Sequence, residues 1–195
     1  MLVELNELNK SYHNGVFEVA ALKNINLKIN KGEFTVFAGP SGSGKTTLLN
    51  IVGTMDKLSS GEVRVDGIEL SALSKNEASD FRKDKIGFIF QSYNLIPVLT
   101  VYENVEFILD LVGKFTKLEK ELKINTLLEE LGLLEYKNRK PSELSGGQQQ
   151  RVAIARALIK EPLIVLADEP TANLDSKTGE NILDLMKKLN EDKGV

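Results

Sequence analysis

Gly39-Pro40-Ser41-Gly42-Ser43-Gly44-Lys45-Thr46 is the stretch from which the rest of the chain can be read. It has the spacing Gly-x-x-x-x-Gly-Lys-Thr, and its flanks carry as much information as the octet itself. On its amino side Phe34 to Ala38 is short and nearly all apolar, which predicts a strand covered on both faces. On its carboxyl side Lys45 to Val52 reads as a helix. A strand, a glycine loop and a helix in this order form a cradle for the phosphates of a nucleoside triphosphate. Gly39, Gly42 and Gly44 allow positive φ and close backbone approach. The N–H groups from Gly42 to Thr47, with Ser43 among them, can converge on phosphate oxygens, helped by the dipole at the helix start. Lys45 is placed to reach the β- and γ-phosphates, Thr46 to ligate magnesium through its hydroxyl, and Thr47 to bond the α-phosphate. A glycine-rich turn with a surface lysine is the plainer alternative, and the full octet between the correct flanks favours binding.

A second segment supplies acids. Leu163 to Ala167 delivers Asp168 and Glu169 at the carboxyl end of an apolar strand, the edge where open α/β sheets bind ligands. Asp168 is expected to hold magnesium, and Glu169 to act as general base on an attacking water. Two acids also end many strands where solvent begins; it is the company of a complete phosphate loop that favours chemistry. A third segment, Leu144-Ser145-Gly146-Gly147-Gln148, opens a helix predicted over 146–159, with Ser145 as its N-cap. A hydroxyl and two glycine amides at a helix start make an anion site, although an isolated Ser-Gly-Gly is equally an ordinary capped helix.

Between these landmarks the pattern alternates. Residues 22–29 place Ile25, Leu27 and Ile29 on one side and Asn24, Asn26 and Lys28 on the other, the period of a half-buried antiparallel strand. Glu62–Val65, Asp66-Gly67 and Ile68–Leu70 read as a hairpin with a tight turn. Ile86 to Phe90 is another apolar strand, ending at Gln91. From Val101 to about Lys137 the spacing is helical, with Leu118, Leu122, Leu127, Leu128 and Leu131 on a three-to-four residue repeat, and the charges from Lys114 to Lys123 read as its solvated face. The last helix is predicted over 176–190. The fold class is therefore α/β: a mostly parallel core, an N-terminal antiparallel β subdomain, and a helical lobe inserted over about 92–146.

At 195 residues the chain is one domain. A net charge of −3 with no basic run gives no case for nucleic-acid binding. The absence of cysteine excludes disulfides and thiolate metal sites and makes an intracellular compartment the easier reading. Met1-Leu2-Val3-Glu4 has neither the charged nor the apolar region of a signal peptide, and no apolar run is long enough to span a membrane. Any membrane role is expected to be peripheral.

The string Leu144-Ser145-Gly146-Gly147-Gln148-Gln149-Gln150-Arg151 resembles the signature of the ATP-binding-cassette (ABC) family almost letter for letter. The rest of the chain agrees: Asp168-Glu169-Pro170-Thr171 resembles the family's catalytic strand end, Asn173-Leu174-Asp175 its D-loop, and Gln91 its glutamine switch and magnesium ligand. Tyr12, in Lys10-Ser11-Tyr12, resembles the aromatic that stacks on adenine; from the residues alone it is as readily a half-buried strand aromatic. The resemblance implies an ATPase that works as a dimer of two copies, with ATP and Mg2+ on one protomer's phosphate loop capped by Ser145, Gly146, Gly147 and Gln148 of the other. It implies catalytic roles for Lys45, Glu169, Gln91 and Asp175. The strings Gly61-Glu62-Val63, Asp84 to Gln91, Asn94-Leu95-Ile96-Pro97 and Leu99 to Val105 are similar to the branch serving lipoprotein release, macrolide export and FtsE-like division complexes. In that branch the ATPase pairs with a separate membrane permease, which implies a cytoplasmic protein held peripherally on the inner face of the membrane through that partner. Apolar Tyr93, Leu95, Ile96 and Val98 suit a permease contact, and packing under the helical lobe suits them as well.

The family pattern continues past Val195 with a strand, a histidine switch and further elements, and His13, the only histidine, lies in the N-terminal loop. The expectation is a fragment that binds ATP far better than it hydrolyses it, with the strands over 34–38 and 163–167 short of a neighbour. A soluble cassette ATPase without a transport role, or a binding-only cassette, are the rival readings.

Overall fold

The computed structural model describes residues 1–15 and 17–195, with the side chain of Asn14 also outside the description. The chain divides into two compact units, one of residues 1–82 with 189–195 and one of residues 83–188.

The first unit is built on an antiparallel sheet of four strands, β1 (Val3–Asn14), β2 (Phe17–Ile29), β3 (Ser60–Val65) and β4 (Ile68–Glu69), in the order β2-β1-β3-β4. Leu5, Leu8, Leu22, Val63 and Val65 are buried on it. The alternation over 22–29 is present as expected, running antiparallel to β1. So is the hairpin, where Asp66 and Gly67 both take positive φ, 51° and 77°, as the tight turn demands. His13 lies in β1 opposite Glu18, not in a loop as the sequence suggested. The β1 register slips between Leu5 and Leu8, where Glu7 adopts φ 47° and its N–H donates to Asn26 Oδ1 at 2.9 Å. Gly61 crosses that slip with φ 94°, and a Cβ there would lie 2.3 Å from the Glu7 carbonyl oxygen. Gly61→Ala is therefore expected to cost at least about 2 kcal/mol, read from the urea midpoint. A loss under about 0.5 kcal/mol would show that the crossing relaxes freely.

Two helices follow strands in this part of the chain. α1 (Lys45–Val52) buries Leu48, Ile51 and Val52. α2 (Lys75–Lys85) was not legible in the sequence because Phe81 is its one buried residue. It starts at a reciprocal cap, Ser74 N–H to Glu77 Oε2 at 2.9 Å and Glu77 N–H to Ser74 Oγ at 3.3 Å. The strand predicted over 34–38 does not form. Residues 33–40 have no ladder partner among the described residues, and without one the nearly all-apolar run cannot become a strand. Instead of being covered on both faces, Phe34 is 40% and Val36 72% exposed.

The second unit holds a parallel pair, β5 (Ile86–Ile89) and β6 (Ile164–Ala167), in register from Ile86↔Ile164 to Ile89↔Ala167. Besides the last residues of α2, it contains α3 (Val101–Val112), α4 (Lys117–Glu130), α5 (Gly146–Leu158) and most of α6 (Ser176–Lys193). α3 and α4 begin at capping boxes, Thr100 with Glu103 and Thr116 with Glu119. The leucine repeat is only half a core stripe. Leu127, Leu128 and Leu131 are buried, but Leu118 and Leu122 in the first turns of α4 point outward. The charged stretch is more than a solvated face, since Lys114 pairs with Asp84 at 2.8 Å, Lys120 with Asp110 and Lys123 with Glu161. α5 is buried on most of its surface and presses against β5 so closely that a Cβ on Gly87 would meet the Ala157 carbonyl oxygen at 2.6 Å. Asn104 is wholly buried, accepts from Ile96 N–H and donates to the carbonyls of Ile96, Leu99 and Thr100, which pins the loop after β5.

Candidate functional site

The phosphate loop belongs to the first unit. Gly42 and Gly44 take φ 80° and 93°, the left-handed backbone that turns successive N–H groups inward. Gly44 caps α1 without any side-chain hydrogen bond, which leaves the amides at the helix start facing the loop. Glycine is doubly required at 44, because a Cβ would lie 2.6 Å from the Ala21 carbonyl oxygen of β2. At Gly39 a Cβ would crowd Ser43 Oγ at 2.9 Å. Lys45 folds back over the loop, its ammonium donating to the carbonyls of Gly39 at 2.8 Å and Pro40 at 3.0 Å. Those bonds hold an ammonium over the glycine loop at a helix start, where a polyanion would meet both the charge and the helix dipole.

Tyr12 lies on β1 of the same unit and is 40% exposed. Its cross-strand partner is Val19, two residues from the Ala21 that abuts Gly44. The strand placement and the half-open ring accommodate both readings made from sequence.

In the second unit the β5–β6 ladder runs one rung past the strands, from Asp168 N–H to the Ile89 carbonyl at 2.9 Å. That rung fixes Asp168 at the carboxyl edge. Glu169 then adopts φ 46°, a left-handed conformation costly for a non-glycine residue and concentrated at functional sites. Asn173 Nδ2 donates to the Gln91 carbonyl at 2.9 Å and ties the segment after β6 to the one after β5. Gln91, Asp168 and Glu169 are thus assembled on neighbouring strand ends. Asp175 accepts from Thr178 N–H at 3.0 Å as the cap of α6. Hydrogen bonds from the Thr178 side chain and backbone hold its carboxyl below the ordinary aspartate range.

At the start of α5, Ser145 Oγ accepts from Gln148 N–H at 3.3 Å and Gln148 Oε1 accepts from Ser145 N–H at 2.9 Å. The exposed serine keeps its own hydroxyl proton as a donor. Gly146 and Gly147 answer to packing within the chain as well as to any ligand. A Cβ on Gly146 would sit 3.1 Å from Tyr93 Oη, and one on Gly147 2.8 Å from Thr178 Cγ2. Further along, Gln150 is wholly buried, and Arg156 donates from Nη1 to the Asn94 carbonyl at 2.5 Å. The arginine thereby connects α5 to the loop after Gln91, where Tyr93 and Asn94 take φ 58° and 50°. Sequence reading missed this link, because 62 residues separate the partners.

Hard oxygen donors suited to magnesium are present at Thr46, Gln91 and Asp168. Among the described residues no group of three or more His, Cys, Asp or Glu could hold a metal ion.

A sequence model of the ABC transporter family matches residues 22–172. An uncharacterized ABC transporter ATP-binding protein of Methanocaldococcus jannaschii, MJ0796, is 52% identical over 198 residues, spanning 99% of this chain and 83% of that protein. The macrolide export ATP-binding/permease protein MacB of Mannheimia succiniciproducens is 47% identical over 191 residues, 98% of this chain but 30% of the longer protein. The bacitracin export ATP-binding protein BceA of Halalkalibacterium halodurans is 44% identical over 190 residues, 97% of this chain and 75% of its own. Among solved structures, the dimeric post-hydrolysis state of the MJ0796 cassette bound to ADP and Pi is similar with a TM-score of 0.88 at 50% identity, covering 99% of this chain and 84% of that one.

Proposed function

The chain belongs to the ABC transporter family, and we propose that two copies of it clasp ATP between the phosphate loop of one and the Ser145 segment of the other. It is an ATP-binding and hydrolysing subunit that serves a membrane permease. The observation that carries the reading is the phosphate loop itself: two left-handed glycines, a glycine-capped helix start and Lys45 held over the loop.

In this reading Lys45 leaves the Gly39 and Pro40 carbonyls for the β- and γ-phosphates, while Gly39 to Thr47, with Ser41 and Ser43, wrap the remaining oxygens. Tyr12 stacks on adenine. Magnesium, when bound, neutralises phosphate charge, and Thr46, Gln91 and Asp168 would hold it. Glu169 takes a proton from water as the water oxygen bonds to the γ-phosphorus and the bond to the ADP oxygen breaks. The partner protomer's signature, Ser145 to Gln148, presents a hydroxyl and helix-start amides to the same phosphate. Asp175 shapes the start of α6 beside Thr178, against which Gly147 packs.

No described helix is long and apolar enough to cross a membrane. We place the protein on the cytoplasmic face through its permease, with Tyr93, Leu95, Ile96 and the 70% exposed Val98 as the contact. Export is favoured over import by the names of MacB and BceA.

Mixing two disabled chains tests the shared site. Lys45→Ala loses its own loop, and Ser145→Glu loses the lid it lends. Ser145→Glu gives up the capping box with Gln148, a cost of about 1 kcal/mol that the negative charge at the helix start partly offsets, and a thermal melt of the variant checks that it is folded. Each alone is expected to fail to trap ATP, while an equal mixture recovers up to one occluded nucleotide per dimer, counted after rapid gel filtration. No recovery in the mixture would mean that each site is built within one chain.

A further inference from the structure

Asp56 lies just beyond the end of α1, where the N–H groups of Met55 and Asp56 both donate to the Asn50 carbonyl, at 2.8 and 3.1 Å. Its carboxylate faces back to β1. Oδ2 accepts from the Tyr12 phenol at 2.7 Å, and Oδ1 accepts from the Lys10 ammonium at 2.8 Å and from Lys57 N–H at 2.7 Å. Lys10 also donates to the Lys57 carbonyl at 2.6 Å and is itself buried to 9% exposure. The same ammonium stands over the Tyr12 ring, 4.6 Å from its centroid. All these residues belong to the first unit, so the network is internal to one compact body.

A strand phenol with a free hydroxyl would sample several rotamers. Here one ring face is covered by a cation and the hydroxyl is tied to a carboxylate, while 40% of the residue stays open to solvent. An aromatic fixed on one side and bare on the other is prepared to receive a second π-system, because the ordering entropy has been met before the ligand arrives. The cation beneath adds to this by drawing ring electron density away from the open face. The other end of the linkage matters equally. Asp56 emerges from the helix whose first turn holds the phosphates, so base platform and phosphate cradle hang from the two ends of α1.

We propose that Asp56 and Lys10 are positioning residues for nucleobase recognition: they lock the Tyr12 ring relative to the phosphate-loop helix so that adenine binds a preformed platform. The proposal rests on the reading of Tyr12 as the adenine-stacking residue. Burial raises the Asp56 pKa, and the hydrogen bonds from Lys10, Tyr12 and Lys57 outweigh it, leaving the carboxyl below its ordinary value and charged at neutral pH.

The test compares ATP with inorganic tripolyphosphate, which offers the phosphates and no base, by calorimetric titration of the full chain with Asp56→Ala, Tyr12→Ala and the double variant. Tyr12→Ala is expected to weaken ATP about tenfold, and Asp56→Ala about three- to fivefold, with tripolyphosphate unchanged in both. In the double variant, Asp56→Ala adds nothing to Tyr12→Ala. Unchanged tripolyphosphate affinity also certifies that the loop is folded. If Tyr12→Ala weakens ATP and Asp56→Ala does not, the positioning role is overturned and stacking stands. Equal weakening of ATP and tripolyphosphate, or additive effects, makes Asp56 a support of the loop and overturns it too. If Tyr12→Ala leaves ATP untouched, stacking itself is wrong and the positioning role goes with it.

Discussion

Glu169→Gln will abolish ATP turnover while leaving ATP binding intact. Glutamine matches glutamate in shape and still offers a carbonyl oxygen to orient water, but it takes no proton. The phosphate-release rate is expected to fall at least about 100-fold, the low end of what a positioned general base contributes. The substitution leaves its surroundings in place. Glu169 adopts φ 46°, and its carbonyl accepts from Ala172 N–H at 3.2 Å, a turn that depends on backbone and not on the carboxylate. Glutamine meets the same left-handed cost, so the strand end stays formed and any loss belongs to chemistry. In the proposed cycle, where ATP closes the dimer and hydrolysis opens it, the variant is expected to stay closed. Gel filtration with ATP is expected to show a long-lived dimer for the variant, against a transient one for the parent chain. Phosphate release within about threefold of the parent would place the base elsewhere.

The parts of this architecture that sequence reveals are those whose cause is local. The limits of α1 follow from Gly44 and Gly53 on either side of Lys45–Val52, and the hairpin turn from Asp66-Gly67. Ser145 caps α5 through Gln148, three residues away. What escapes reading is decided by a distant partner. Phe34 to Ala38 has the composition of a buried strand, but a strand exists only beside another, and residues 33–40 have no such neighbour among those described. α2 carries almost no apolar signal, since its cap and Phe81 suffice to set it. Leu118 and Leu122 share the helical repeat of Leu127 and Leu128, yet α4 is covered only along its second half. The candidate site divides in the same way. Its residues are named by motifs, while the bonds that aim them span long separations: Tyr12 to Asp56, Gln91 to Asn173, Asn94 to Arg156. A spacing pattern has no means of recording a hydrogen bond across 44 or 82 residues. Motifs identify the chemistry; the packing around them supplies its geometry.

Lys45→Ala will weaken nucleotide binding about 100-fold with little change in the stability of the protein without nucleotide. The lysine is partly exposed, and its two bonds to Gly39 and Pro40 carbonyls are exchanged for water at a cost of no more than about 1 kcal/mol. Loop shape is held elsewhere, by the left-handed glycines at 42 and 44 and by Ser43 N–H on the Pro40 carbonyl at 3.3 Å. Against a triphosphate the balance differs. The ammonium is the loop's charged donor, and a charge-assisted bond to phosphate is roughly twice as strong as a neutral one. A loss of affinity of about 100-fold, near 2.7 kcal/mol, is expected. Thermal denaturation separates the two effects. For the parent chain, ATP at 100 times its dissociation constant adds about 2.7 kcal/mol of stability. At that same concentration the variant gains only about 0.4 kcal/mol, so its melting temperature barely responds. Two outcomes oppose this account. A variant that melts far below the parent without nucleotide would make Lys45 a structural brace. One that still gains the full ATP shift would mean that the backbone amides bind the phosphates unaided.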